Sequence, residues 1–272
     1  MIKYQKLSIP SKSYNEDGYI IQPPMYVVFD GATPLFNQDS NESSASHMVR
    51  FLESNLYSKY NEFHSFEKAL HELSKAYHHA QDTIDYDKAK TPSAGIAAVI
   101  EDKDYFNLYV LGDCEIVYLN QNDHAKRFAY YDLQNLDRKA IKQMKEIAKK
   151  QNIDFKTARS YIDDTIISNR RLMNEKDGYN VFAPSKCPTF QIKTKRILKS
   201  TTKTIFIYTD GFGQAFDNLK IAKGYTNLFK SSLDIEYIKT EIINRWNHDQ
   251  NFNMYPRFKE RDDLTIIKIE NT

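Results

Sequence analysis

The sequence predicts an α+β protein in which several strands are grouped into packed sheets. Strand-like apolar runs occur in blocks rather than singly, at residues 19–21, 25–29, 94–119, 204–209 and 264–269. Apolar residues with the spacing of amphipathic helices occupy the stretches between these blocks. Strands and helices therefore do not alternate one by one, and this order favours stacked sheets over a regular βαβ array.

The composition is that of a folded globular chain and excludes several classes of protein. Of the 272 residues, 41% are hydrophobic, enough for a sizeable core, and two cysteines are too few for a disulfide framework. The 38 basic and 36 acidic residues leave a formal charge of +2, so bulk charge predicts neither a nucleic-acid nor a membrane partner. No apolar run has the length of a signal peptide or a membrane span, and we expect a cytoplasmic protein.

No internal repeat or flexible linker divides the chain, so we expect a single domain over residues 1–272. Apolar faces with helical spacing predict a pair of helices at 48–56 and 66–80 and a further helix near 233–246. The same spacing returns within residues 132–176, a helical segment inside the domain. This segment carries a row of lysines, which we interpret as the solvated face of an amphipathic helix rather than as a nucleic-acid surface.

The dipeptide Gly112-Asp113 lies between two strand-like runs, 108–111 and 115–119. Both residues tolerate the positive φ angles of tight turns, and the dipeptide therefore predicts a β-hairpin. The residue that follows, Cys114, has no histidine near it in the sequence. We interpret it as a small buried side chain rather than a nucleophile.

Carboxylates at the ends of apolar strands are the strongest chemical signal in the sequence. Two Asp-Gly dipeptides, at 30–31 and 210–211, each follow an apolar run, and no returning strand comes after either of them. A hairpin turn therefore does not explain them. Other carboxylates lie close to the remaining strands: Glu16, Asp17, Asp113, Asp262 and Asp263.

Buried carboxylates are destabilising unless a cation or a proton neutralises them. An all-oxygen donor set suits hard ions such as Mg²⁺ or Mn²⁺, whereas a zinc site would need imidazole or thiolate ligands. All seven histidines lie away from the acidic motifs. The residues themselves therefore predict a Mg²⁺ or Mn²⁺ site built on aspartates.

Taken in order, these motifs resemble those of the metal-dependent PP2C-type (PPM) serine/threonine protein phosphatases. The resemblance extends from about Lys12 to Ile269 and rests on NED at 15–17, an apolar strand ending at 30–31, Gly112-Asp113, an apolar strand ending in TDG at 209–211, and DDLT at 262–265. The segments RLMN at 171–174 and YPRFK at 255–259 are similar to a bacterial branch of that family.

The resemblance implies a four-layer α-β-β-α sandwich, with two antiparallel sheets flanked by helix pairs and metal ions at one end. Asp30 matches the aspartate that bridges two Mn²⁺ or Mg²⁺ ions, and Gly31 matches a residue that offers its carbonyl oxygen to the second ion. Asp210 and Asp262 match the aspartates that hold the first ion. Asp263 is offset from the ligand position.

The resemblance also assigns supporting roles. Glu16 and Asp17 match acidic residues that act largely through metal-bound waters, and Asp113 matches an aspartate that supports a third, weaker ion. Lys12 stands where many members carry an arginine that holds the substrate phosphate. Ala32 stands where some members carry a histidine proposed as general acid, so we expect water to protonate the leaving group.

The implied activity is hydrolysis of phosphoserine or phosphothreonine in proteins by a metal-activated water. The expected partners are a phosphorylated protein substrate and a cognate serine/threonine kinase. Two alternatives stay open at this point: a pseudophosphatase that serves as a binding module, and a phosphatase of a small phosphorylated metabolite. All the expected ligands are present, which favours catalysis over the pseudophosphatase. Specificity depends on surface loops, so the sequence does not separate protein from small-molecule substrates.

Overall fold

The computed structural model of the protein describes residues 2–34, 42–81, 87–221, 229–230 and 232–272. Its strands are β1 (Ile2–Ile9), β2 (Asp17–Gln22), β3 (Met25–Ala32), β4 (Ser93–Glu101), β5 (Tyr105–Leu111), β6 (Glu115–Asn120), β7 (Ala125–Phe128), β8 (Lys193–Leu198), β9 (Thr202–Tyr208) and β10 (Leu264–Asn271). They form two five-stranded antiparallel sheets, with the orders β1-β10-β9-β6-β7 and β2-β3-β4-β5-β8.

Helices cover the outer faces of both sheets. The helices within the described residues are α1 (Ser44–Phe63), α2 (Phe66–Ala80), α3 (Asp132–Gln151), α4 (Phe155–Arg159), α5 (Asp163–Arg171), α6 (Asp210–Asp217) and α7 (Ile235–His248). The pair α1 and α2 packs on the second sheet, and the pair α6 and α7 packs on the first. The predicted α+β class and four-layer sandwich are confirmed. Within the described residues, no helix combines the length and the apolar composition that a membrane span requires.

Side-chain alternation along the central strands separates three apolar layers. In β3, Val27 and Phe29 pack toward α1 and α2, whereas Tyr26 and Val28 pack between the sheets. Ile207 of β9 belongs to the same intersheet layer. Because these strands are buried on both faces, the sequence shows them as continuous apolar runs. The strands predicted at 25–29, 204–209 and 264–269 are confirmed for this reason, and the run predicted at 19–21 lies in the edge strand β2.

Three strands, β1, β7 and β8, were not predicted. All three lie at the edges of their sheets. They carry exposed polar side chains such as Lys3 and Gln5 in β1 and Lys195 in β8. An edge strand with a solvated face has no continuous apolar run, so the pattern that revealed the central strands is missing.

The predicted hairpin at Gly112-Asp113 is wrong. β5 pairs with β4 and β8 in one sheet, whereas β6 pairs with β7 and β9 in the other. The dipeptide therefore carries the chain from one sheet to the other. Gly112 has a φ of +76°, a backbone conformation that is strained for a residue with a side chain. The predicted tight turn is therefore present, but the two strands that it joins do not pair with each other.

The predicted helical segment at 132–176 contains α3, α4 and α5. Ala140 and Met144 of α3 pack with Ile162 in a small apolar cluster separate from the main layers. The lysines of α3, such as Lys142 and Lys145, are exposed. This arrangement agrees with the interpretation of the basic row as a solvated helix face.

A buried ion pair fixes the segment that leads from α7 into β10. Arg257 and Asp249 are 5% and 4% exposed, and Arg257 Nη1 lies 2.9 Å from Asp249 Oδ2. The same carboxylate accepts the backbone N–H groups of Met254 and Tyr255, and the guanidinium also donates to the carbonyl oxygen of Trp246. Each partner is thus satisfied within the loop, and the pair sets the position at which β10 begins.

We expect Arg257→Met to lower the free energy of unfolding by about 3–5 kcal/mol, because it leaves the buried Asp249 carboxylate without its cation. Urea denaturation in the presence of EDTA measures this loss without any contribution from metal ions. Arg196→Met is the matched control, since Arg196 pairs with Asp102 at 2.9 Å on the surface. The control should change stability by about 0–1 kcal/mol. Equal losses in the two variants would show that the buried pair contributes no more than the surface pair.

Candidate metal centre

Two aspartates face each other at one end of the space between the sheets. Asp17 is the first residue of β2 and lies directly opposite Asp30 of β3 in the antiparallel register. Tyr19 on β2 and Val28 on β3 pack in the intersheet layer, so the two-residue alternation of strands puts both carboxylates on that side. Like charges in directly opposed positions repel each other, and this pair therefore needs a cation or a proton.

Asp210 and Asp113 approach the same end from the first sheet and from the intersheet turn. Asp210 begins α6, one residue after the end of β9, and its backbone N–H donates to Asp30 Oδ2 at 3.0 Å. Asp113 approaches across β4 at Gly95, the residue paired with Asp30. A Cβ atom on Gly95 would lie 2.6 Å from Asp113 Oδ1. The absence of a side chain at Gly95 therefore makes room for the Asp113 carboxylate.

The two aspartates before β10 have different surroundings. The buried Asp263 accepts the backbone N–H of Ser11 at 2.5 Å and that of Glu16 at 2.7 Å. It thus clamps the segment between β1 and β2. The Asp262 carboxylate instead forms an ion pair with Lys259, with 2.9 Å between Nζ and Oδ1. Its charge acts on Asp30 and on Asp210.

Glu16, Gly31 and Lys12 are placed around this group rather than within it. The Glu16 carboxylate accepts the hydroxyl of Thr33, and its backbone carbonyl accepts the N–H of Gly31 at 3.1 Å. Lys12 is exposed, with its ammonium 5.5 Å from the centre of the Tyr14 ring. Within the described residues, neither the Glu16 nor the Lys12 side chain has a hydrogen bond or ion pair to the aspartates above.

Burial and mutual repulsion raise the pKa values of the clustered carboxyl groups. Burial is the main cause at Asp30 and Asp210, where the pKa rises well above its ordinary value and neighbouring carboxylates raise it further. Burial and then the charge of Asp210 raise the pKa of Asp113 to about 8. Burial and then the charge of Asp263 raise the pKa of Asp17. The cluster therefore favours bound protons or a bound cation over unneutralised negative charge.

The site includes charged residues that the sequence did not predict, among them Asp137 and Lys259. Asp137 lies on α3, and its charge contributes to the raised pKa of Asp113. Burial raises the pKa of Asp137 itself to about 6. The Lys259 ammonium favours the ionised forms of Asp30, Asp113 and Asp210. Neither residue follows an apolar strand, so the strand-end pattern could not reveal them, although Lys259 lies only three residues before a predicted ligand.

The donor chemistry fits a hard divalent cation. The group consists of carboxylates, and the thiol beside it, Cys114, is fully buried with a pKa raised by burial and by the surrounding acids. As the side chains stand, no three His, Cys, Asp or Glu residues in the described parts of the chain are arranged to hold an ion. The Lys259 ammonium contacts Asp262 Oδ1 and the Asp210 N–H contacts Asp30 Oδ2, two oxygens that such an ion would coordinate. The chemistry of the donors, rather than a formed coordination shell, is what matches Mg²⁺ or Mn²⁺.

Solved structures share this fold over nearly the whole chain. The serine/threonine phosphatase PstP/Ppp from Mycobacterium tuberculosis is 10% identical, with 99% of this chain and 98% of that chain covered and a TM-score of 0.56. The serine/threonine phosphatase Stp1 from Staphylococcus aureus is 14% identical, with 99% and 95% covered and a TM-score of 0.53. The catalytic domain of PstP in complex with two manganese ions is 9% identical, with 99% and 97% covered and a TM-score of 0.54. No family model and no curated protein sequence matches the chain.

We expect the metal-free protein to lose stability as the pH rises from about 4 to about 8. The folded state has raised carboxyl pKa values, so it binds more protons than the unfolded state in this range. The contribution is therefore complete below the unfolded value near 4 and is lost as the pH passes the folded value of Asp113, about 8. Melting temperatures in EDTA across this range measure the slope.

Asp113→Asn should flatten that slope, because it removes one of the protonated groups. Asp104→Asn, at an exposed position away from the cluster, is the control and should leave the slope unchanged. The same slope in wild type and Asp113→Asn would contradict the raised pKa of Asp113.

The two aspartates before β10 should respond differently to amide substitution. Asp262→Asn should raise the Mn²⁺ concentration needed to stabilise the protein, because a charged candidate ligand is lost. Asp263→Asn should lower the melting temperature but keep the Mn²⁺ midpoint, because one amide oxygen cannot replace two carboxylate oxygens that accept two N–H groups. Thermal melts in a Mn²⁺ titration measure both effects. A larger midpoint shift for Asp263→Asn would place the ligand one residue later.

Proposed function

We propose that this chain, which has the fold of bacterial PP2C-type serine/threonine phosphatases, hydrolyses phosphoserine or phosphothreonine in proteins with the aid of two Mn²⁺ or Mg²⁺ ions. The observation that carries the proposal is the group of aspartates at one end of the sandwich. Five of them come from different parts of the chain and are joined by register, hydrogen bonds or mutual charge effects: Asp17, Asp30, Asp113, Asp210 and Asp262.

The residues that would hold the ions follow from this arrangement. Asp30 lies opposite Asp17 and accepts the backbone N–H of Asp210, and it would bridge two ions, while Gly31 would offer its carbonyl oxygen to the second ion. Asp210 and Asp262 would complete the first ion's protein ligands, and Asp113 would hold a third ion. A pair of such ions, when bound, lowers the pKa of a water and offsets the negative charge of the phosphoryl group.

Glu16 and Asp17 would act through ordered waters. The protein holds the Asp17 carboxylate in place through the hydroxyl of Thr209, which donates to Oδ2 at 2.8 Å. Such hydrogen bonds fix the orientation of a carboxylate at a metal site. The Glu16 side chain is held in the same way by Thr33.

Within the described residues, the thiol beside this site belongs to Cys114, which is unsuited to act as a nucleophile. Cys114 is fully buried, and burial with nearby acids raises its pKa, so the thiol stays neutral. A water is therefore the attacking group. Ala32 at the end of β3 has no proton to give, so water also protonates the leaving alkoxide.

The named activities of the solved structures described above support a protein substrate. Each of those structures is a serine/threonine phosphatase. A phosphorylated metabolite and a non-catalytic binding role are the competing possibilities. Assays on different substrates separate them.

Asp30→Asn should reduce turnover by at least about 100-fold, because it removes charge at both ions with little change in volume. Hydrolysis of p-nitrophenyl phosphate and of a phosphothreonine peptide, with Mn²⁺ and with EDTA, measures the effect. Asp104→Asn on the surface is the control and should retain full activity.

Each other outcome changes the proposal. Near wild-type turnover by Asp30→Asn at saturating Mn²⁺ would show that Asp30 is not the bridging ligand. A wild-type protein inactive on both substrates would indicate a binding module. Hydrolysis of small phosphates without activity on the phosphopeptide would indicate a metabolite phosphatase.

A further inference from the structure

A phosphate group at this site needs a cationic side chain that can reach it, and the fold leaves few candidates. Arg170 donates through Nη2 to the carbonyl oxygens of Ala32 at 2.6 Å and Thr91 at 3.2 Å, and its Nε is buried without a hydrogen-bond partner. An arginine anchored in this way is less able than an exposed lysine to turn toward an incoming anion. Arg257 is committed to the buried pair with Asp249. Among the exposed lysines of the described residues, we compare Lys12, which precedes the acidic segment 15–17, and Lys259, which pairs with Asp262.

The surroundings of the two lysines differ. The Lys12 ammonium lies over the Tyr14 ring and, in the described parts of the chain, forms no ion pair. The Lys259 ammonium forms an ion pair with Asp262 at 2.9 Å. Its charge also acts on Asp30 and Asp210, so it lies among the carboxylates over which a phosphoryl group would sit.

We propose that Lys259, rather than Lys12, is the side chain that holds the substrate phosphate at this site. This inference rests on the proposed function for its substrate, a phosphate monoester. Lys259 would be a substrate-binding residue that donates an N–H hydrogen bond to a non-bridging phosphate oxygen.

Exposure and anchoring suit Lys259 to this role. Its side chain is 54% exposed, whereas that of Asp262 is 14% exposed, so the ammonium lies at the solvent side of the carboxylates. Its backbone follows two residues after Arg257, whose buried pair fixes the segment. The flexible four-carbon stem can therefore turn from Asp262 toward an incoming anion while its root stays in place.

The ion pair with Asp262 explains how Lys259 could contact the carboxylate in the metal-free protein and the substrate phosphate in the metal-bound protein. A divalent ion held by Asp262 would offset the charge of that carboxylate and weaken the attraction that holds the Lys259 ammonium there. Lys259 then becomes available to an anion at the same edge. Lys259→Met should accordingly tighten Mn²⁺ binding, because the ammonium no longer competes for Asp262.

Lys259→Met is the test, since methionine keeps the apolar stem but removes the charge. A charge-assisted hydrogen bond to phosphate acts in the ground state and the transition state alike, so KM should rise by about 10- to 100-fold with a smaller change in kcat. Lys259→Arg should restore the KM, because a guanidinium also binds phosphate oxygens. Lys12→Met tests the competing candidate and should change KM less than Lys259→Met does. Lys3→Met, on the exposed side of β1, is the control that should leave KM unchanged.

A binding measurement keeps this test independent of turnover. Inorganic phosphate should raise the melting temperature of the Mn²⁺-loaded wild type and of Lys12→Met, but much less that of Lys259→Met. If the wild type has no activity yet shows this pattern, the proposed function fails and the phosphate contact of Lys259 stands. Lys259→Met with unchanged KM and unchanged stabilisation by phosphate would overturn the inference, as would loss of both in Lys12→Met alone.

Discussion

The central constraint in this structure is that packing of the apolar layers places several carboxylates close together at one end of the sandwich. Asp17 and Asp30 sit in opposed register because the apolar residues beside them fill the intersheet layer. A shift of one residue would turn those apolar side chains to the opposite face of the sheet. The hydrophobic core therefore fixes the positions of carboxylates that repel each other. A bound divalent cation would reduce this electrostatic repulsion.

Residues outside the acidic group hold this geometry. Asp263 ties the start of β10 to the segment before β2, and the buried Arg257–Asp249 pair fixes the loop before β10. The free backbone of Gly95 lets the Asp113 carboxylate approach from the intersheet turn. None of these three features is a candidate ligand. They are the reason that ligands from distant parts of the chain meet with restricted freedom, which lowers the entropic penalty of binding an ion.

The positive charges of the protein are divided between two settings. The lysines of α3 are exposed on a helix face, where solvent and salt screen them. Lys259 instead lies beside acids of low exposure, and its charge reaches several of them. A formal charge of +2 hides this difference. The electrostatic field at this end of the sandwich depends on the few charges that lie close to the buried carboxylates rather than on the net charge of the chain.

The sequence by itself determined the layers of the fold and most of the acidic residues at the site. A strand buried on both faces must be apolar throughout, and a carboxylate at its end stands out against that run, as at Asp30 and Asp210. Tertiary structure decided what depends on partners distant in the chain. It placed β5 and β6 in different sheets, and it brought Asp137 and Lys259 to the acids although neither lies in a strand pattern. Local periodicity records which face of an element is buried, but it contains no information about which other element covers that face.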